Sequence, residues 1–149
     1  MYKHILLPVD GSELSQKTER ECVAFAKSMG AKVTAIHVVS HFHLHVQRWG
    51  APRSVFTKIE KDHEEEATAL ARKMISKLEA RAKAEGVKCD GLVVVGDHPY
   101  EEIIGSAEKH KCDLIMMASH GHTGLDAVLL GSETVKVLTH AKIPVLVVR

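Results

Sequence analysis

The chain has 149 residues, enough for one domain with a real core, and Lys plus Arg (20) nearly balance Asp plus Glu (19) for a formal charge of +1. With no basic cluster to track a phosphate backbone, nucleic acid is excluded as the expected partner. The three cysteines, Cys22, Cys89 and Cys112, are odd in number and set among apolar residues, a pattern of reduced core thiols rather than a disulfide framework. Neither a signal pattern nor an apolar run of membrane-spanning length is present, so the expectation is a cytoplasmic protein with no membrane partner.

Lys3 to Val9 is an apolar run rich in strand formers, and Pro8 falls near its end. Asp10-Gly11-Ser12 is a turn cluster, after which Leu14, Thr18, Cys22, Phe25, Ala26 and Met29 recur at helical spacing until Gly30. Ser12 is the expected N-cap. Lys32 to Val39 reads as a strand, apolar near its end but for His37. From Ser40 to about Thr57 periodicity is lost, and the segment collects His41, His43, His45, Trp49, Gly50 and Pro52, the composition of a long surface loop. The alternating histidines would share one face of an extended backbone, as metal ligands can, but without a neighbouring Cys or carboxylate in sequence they read as solvated, and no metal is expected there.

From about Lys58 to Glu85, Ile59, Ala67, Leu70, Met74, Leu78 and Ala82 form an apolar stripe on a long amphipathic helix closed by Gly86. Val87 to Val95 is a third strand, with Gly91 inside it as a bulge or weak point. Pro99 suits the first position of the next helix, Glu101 and Glu102 its first turn, and Lys109 to Lys111 its last, the charge order a helix dipole favours. Leu114 to Ala118 is a short continuous apolar run, as in a strand buried on both faces. The loop Ser119-His120-Gly121-His122-Thr123-Gly124 follows, with glycines free to take positive φ or to let backbone approach a ligand. Gly131-Ser132 then opens a helix to about His140, with Ser132 as expected N-cap, and a last strand runs from Ile143. Strands alternating with helices imply a doubly wound, Rossmann-like α/β domain over residues 1–149 with a five-stranded parallel sheet.

A buried strand ending in a glycine loop and leading to a helix N-terminus is a candidate phosphate cradle, although capped connections that bind nothing look the same locally. Asp10, at a strand end, is a candidate partner for ribose hydroxyls, or simply a turn residue. Neither a dinucleotide fingerprint nor a P-loop is present. Glu133 adds a negative charge in the first turn of the helix that would face phosphates, which His120 and His122 offset only when protonated.

Ala118-Ser119-His120-Gly121, nine residues, then Gly131-Ser132 resembles the nucleotide motif of the universal stress protein family: Gly, two residues, Gly, nine residues, Gly-Ser/Thr. The opening Ile5 to Ser12 and the closing Ile143 to Val148 resemble the family's ends, so the likeness spans the chain. It implies the strand order 3-2-1-4-5, which sets a crevice between the ends of strands one and four. It also implies a nucleotide site made of Pro8, Val9, Asp10, Val38, Met117, Ala118, His120, Gly121, His122, Gly131, Ser132 and Glu133. In the family the position of Val38 offers backbone hydrogen bonds to adenine, with Pro8 and Met117 packing nearby. Ala118 replaces the motif's first glycine and matches only as a position; its methyl costs roughly 1 kcal/mol or more if that position needs positive φ, and nothing if it is an ordinary strand end. The resemblance, to the family's ATP-binding branch, implies a non-catalytic stress-response module holding ATP, with Mg or Mn on the phosphates, and a homodimer joined through the last strand. The alternative is a stress protein of the same fold that acts by protein–protein interaction without a nucleotide. An enzyme is not expected, because no lysine, base or carboxylate pair stands in a recognisable pattern at the phosphate site.

Overall fold

A computed structural model describes residues 1–43, 50, 52–121 and 130–149. The strands are β1 (His4–Pro8), β2 (Lys32–Val39), β3 (Cys89–Val95), β4 (Leu114–Ala118) and β5 (Val145–Val148), and the helices α1 (Glu13–Met29), α2 (Arg53–Ala84), α3 (Pro99–Lys109) and α4 (Ser132–His140). The strands form one parallel sheet in the order β3-β2-β1-β4-β5, as expected. Among the described residues no helix is long and apolar enough to cross a membrane.

Period-two alternation divides the central strands between two cores. Ile5 and Leu7 of β1 and Leu114 and Met116 of β4 face α1 and α2, with Cys22, Val23, Ala26, Ile75, Leu78 and Ala82. Leu6, Ile115 and Met117 face the other way, with Ile103 and Ala107 of α3 and Val137 of α4. Burial pushes the thiol of Cys22 up to about 12 and those of Cys89 and Cys112 to about 11. None of the three is disulfide-bonded, and none is a thiolate nucleophile at neutral pH.

The ladder between β1 and β4 sets up the site. It registers Ile5 with Leu114 and Leu6 with Ile115, whereas β1 and β2 stay in register from His4 to Pro8. Backbone groups in a parallel strand point alternately to the two neighbours. Val9 N donates to Ile36 O of β2 at 2.8 Å, and His4 O accepts from Asp113 N beside β4 at 2.9 Å. Pro8 shares the parity of His4, so its missing N–H lies on the β4 side and cannot extend the ladder. A second tie secures the opposite end: the Asp113 carboxylate accepts from Lys3 N (2.8 Å) and His4 N (3.0 Å).

Helix ends with local signals fall where expected. Ser12 caps α1, its Oγ accepting from Ser15 N at 3.1 Å, and Gly30 closes α1 in the left-handed conformation at φ 62°. Three expectations are corrected. Of the expected stripe on α2, Leu78 and Ala82 are buried and Met74 packs against the core, but Ile59 and Leu70 are 46% and 64% exposed, and Ala71 and Ile75, one residue on from Leu70 and Met74, are buried instead. Gly91 is no bulge, since it pairs regularly with Ala35. It is small because Ile75 packs there: a Cβ at Gly91 would collide with Ile75 Cγ2 and approach Glu79 Oε1 to 3.0 Å. Finally, α2 starts at Arg53, so the connection after β2 is shorter than the expected loop to Thr57.

Gly91→Val should therefore destabilise the fold by about 1–3 kcal/mol through overpacking, whereas Leu70→Ala should stay within about 0.5 kcal/mol of the parent. Urea denaturation of both variants checks the pair.

Candidate functional site: a crevice between β1 and β4

At the carboxyl end of β1, Asp10 takes a turn position while still facing the crevice. Its Oδ1 accepts from Ser12 N at 2.9 Å, and its own N–H donates to Ser15 Oγ at 3.1 Å. Gly11 between them has φ 80°, which only glycine adopts without strain. Beside it, His37 Nδ1 donates to Val9 O at 2.7 Å, fixing the ring across the ends of β1 and β2.

On the β4 side, Ser119 N donates to Val148 O at 2.8 Å, and Gly131 N donates to Ser119 O at 2.7 Å. The second bond draws the start of α4 onto the end of β4. Thr134, buried in the first turn, completes the joint by donating from Oγ1 to Ala118 O at 3.1 Å. Ala118 itself ends β4 in register with Val148, and its φ is not positive. Its methyl therefore carries no conformational cost.

The glycines act through proximity. Gly121 does not use positive φ; it is needed for close approach, since a Cβ there would run into Asp10 Oδ2. A Cβ on Gly131 would lie 3.2 Å from His120 Cα, tighter than ordinary packing. Ser132 is also corrected: the N-cap of α4 is Gly131, at φ −71° and ψ 158°, and Ser132 is the first helical residue.

Glu133 is directed to α3. Its Oε2 accepts from Tyr100 N at 2.9 Å, supplying the cap that His98 does not, and its Oε1 accepts from Lys136 Nζ at 2.8 Å. That hydrogen bond raises the pKa of Lys136, whose ammonium lies 5.4 Å from the Tyr100 ring centroid. The carboxylate thus joins the first turns of two helices.

These parts enclose a cavity of about 480 Å³, within the range of small-molecule pockets. Pro8, Val9, Asp10, Val38, Met117, Ala118, His120, Gly121, Gly131, Ser132 and Glu133 all line it. His122, the remaining expected site residue, lies outside the described residues. Ser15, Ile36, His37, Pro99, Ile103 and Thr134 also line it and were missed. Two signals pointed to some of them: the lone polar His37 near the end of β2, and the start of α3, which opens at the same edge of the sheet.

The loop histidines stand apart from this lining. His41 Nδ1 lies 2.9 Å from Glu64 Oε2 and His43 Nε2 3.6 Å from Asp97 Oδ2, so carboxylates absent from the local sequence are supplied by α2 and by the turn after β3. Among the described residues no group of three or more His, Cys, Asp or Glu could hold a metal ion. His45 and Trp49 lie outside the described residues.

A doubly wound parallel sheet with a crevice where the strand order reverses defines the open α/β class, whose ligands sit outside the carboxyl ends of the strands. This chain belongs to the universal stress protein family, whose model matches residues 1–149. Universal stress protein MJ0531 of Methanocaldococcus jannaschii is 35% identical, over 100% of this chain and 83% of its own length. Universal stress protein MJ0577 of the same organism is 33% identical, over 100% of this chain and 96% of its own. The solved structure of MJ0577 matches with a TM-score of 0.84, covering 99% and 96% of the two chains at 32% identity. A universal stress protein solved in complex with cAMP shares the fold at 21% identity, with a TM-score of 0.70 and coverage of 99% and 97%.

Thr134→Val, nearly isosteric, should cost about 1 kcal/mol of stability by leaving Ala118 O without its side-chain donor. The shift of the urea midpoint measures it.

Proposed function

We propose that the crevice binds an adenine nucleotide and that the protein is a non-catalytic stress-response module of the cytoplasm. The observation that carries this reading is the meeting, in one cavity, of apolar walls from Pro8, Val38 and Met117, the Asp10 carboxylate, and the Gly131–Ser132 start of α4. Adenine would lie between the apolar walls against the backbone of Val38, and the ribose would turn its hydroxyls to Asp10. The phosphates would run past Ala118, His120 and Gly121 to Gly131 and Ser132, with His122 and Glu133 at the margin. ATP carrying Mg or Mn is the form the family resemblance implies. That the same fold holds cAMP in another member supports an adenine ligand. The described lining offers no lysine or arginine to clamp a transferring phosphoryl group, which favours holding the nucleotide over hydrolysing it.

Calorimetric titration should show ATP binding that Gly131→Val abolishes and Asp10→Ala weakens by about 1–3 kcal/mol, the cost of losing a hydrogen bond to a charged group. Ala118→Gly should leave affinity unchanged, because Ala118 is already an ordinary strand residue, and phosphate release should stay negligible in every variant. A parent that binds no adenine nucleotide would favour the interaction-only alternative.

The homodimer belongs to the same proposal. β5 is the last strand of the sheet order, Leu146 on it is 40% exposed, and Val135 and Leu138 on adjoining α4 are 46% and 42% exposed. A second copy pairing through β5 would cover that edge. Light scattering should give a dimer at micromolar concentration and a monomer for Leu146→Lys; a parent already monomeric would remove the pairing.

A further inference from the structure

The charge around the crevice is one-sided. Its described lining carries two carboxylates, Asp10 and Glu133, two imidazoles, His37 and His120, and no Lys or Arg. The sequence holds neither cation from Cys112 through Val135, the stretch that contains the glycine loop and the start of α4. Lys136, the first cation of α4, is already bound to Glu133. Helix N-termini attract anions, yet α1, α3 and α4 each bear acid in the first turn: Glu13, then Glu101 and Glu102, then Glu133. Glu133 is the one that also lines the cavity, and its tie to Tyr100 N keeps it there. The apolar walls, among them Pro8, Ile36, Val38, Ile103 and Met117, suit a base.

We propose, resting on the adenine-nucleotide reading above, that Glu133 makes the crevice discriminate by phosphate charge. It favours adenine nucleotides of low charge, such as a mono- or cyclic phosphate, over free ATP, and admits ATP as a divalent-ion complex whose net charge is lower. Affinity comes from the nucleoside, and each added phosphate charge meets repulsion from a carboxylate that α3 holds in place.

Calorimetry with AMP and with ATP, in EDTA at low ionic strength, tests this. The parent should bind AMP more tightly than metal-free ATP. Glu133→Gln, which keeps an oxygen for Tyr100 N and leaves Lys136 without its ion-pair partner, should raise ATP affinity about three- to tenfold, as expected for a change of one unit charge at several ångströms, and raise AMP affinity by a smaller factor. The parent supplies a readout that does not depend on the variant. Added KCl screens repulsion, so the ratio of affinities should move toward ATP as salt rises. A ratio that moves toward AMP with salt, or ATP and AMP shifting by one common factor in the variant, overturns the proposal and leaves nucleotide binding intact. Failure of parent and variant to bind either nucleotide overturns the adenine reading itself, and this inference with it.

Discussion

Pro8 stands in the central strand with its missing N–H turned toward β4, and the shape of the crevice follows from that withheld donor. The β1–β4 ladder covers Ile5 and Leu6 and goes no further, while β1 continues beside β2. Past that point the two chains are free to separate, Asp10 on one side and the Ser119 turn on the other. The opposite end of the same strand pair is clamped by Asp113, whose carboxylate takes the N–H groups of Lys3 and His4. Burial alone would raise the pKa of that carboxyl, but the N–H donors outweigh it and hold the group below its usual range. A pair tied at one end and unpaired at the other opens like a hinge at the edge where ligands of this fold class sit.

The two helices on the crevice side are not independent supports. α3 lacks a side-chain cap of its own and receives Glu133 from α4 instead, while Lys136 and Tyr100 stack above the joint. The start of α4 is in turn held to β4 by Gly131 and Thr134. The positions of Pro99, Ile103 and Ser132 around the cavity are thus set by one connected group of bonds. A substitution that removes one of these bonds should disturb the cavity wall as well as the helix that bears it.

How much of this could be read from sequence depended on how local the cause was. The caps of α1 were legible because Ser12 and Gly30 act on their nearest turns. The phase of α2 was legible at Leu78 and Ala82 but not before them, since Leu70 and Met74 make as good a stripe as Ala71 and Ile75 until the vacancy at Gly91, in the next strand, shows which side chain can enter. Glycine and serine at 131 and 132 can each cap a helix, and the extended backbone of Gly131, whose O accepts from Val135 N, settles which does. The charge of Glu133 was visible, its partner Tyr100 N was not, because 33 residues separate them. Most of the lining was legible because the strand order follows from the family and places strand ends together; Pro99, Ile103 and Thr134 required the docking of α3 and α4.

The bond between Gly131 N and Ser119 O has a consequence for how the protein can change. It closes the neck of the segment from 120 to 130 with backbone atoms alone, so the sheet and α4 meet in the same way whatever side chains lie beyond the neck. Lengthening a loop whose ends are already fixed costs only about 0.6 kcal/mol per doubling. Drift can therefore change this segment, in composition or in length, without repacking either core, and a grafted peptide placed there would inherit a rigid, already folded base.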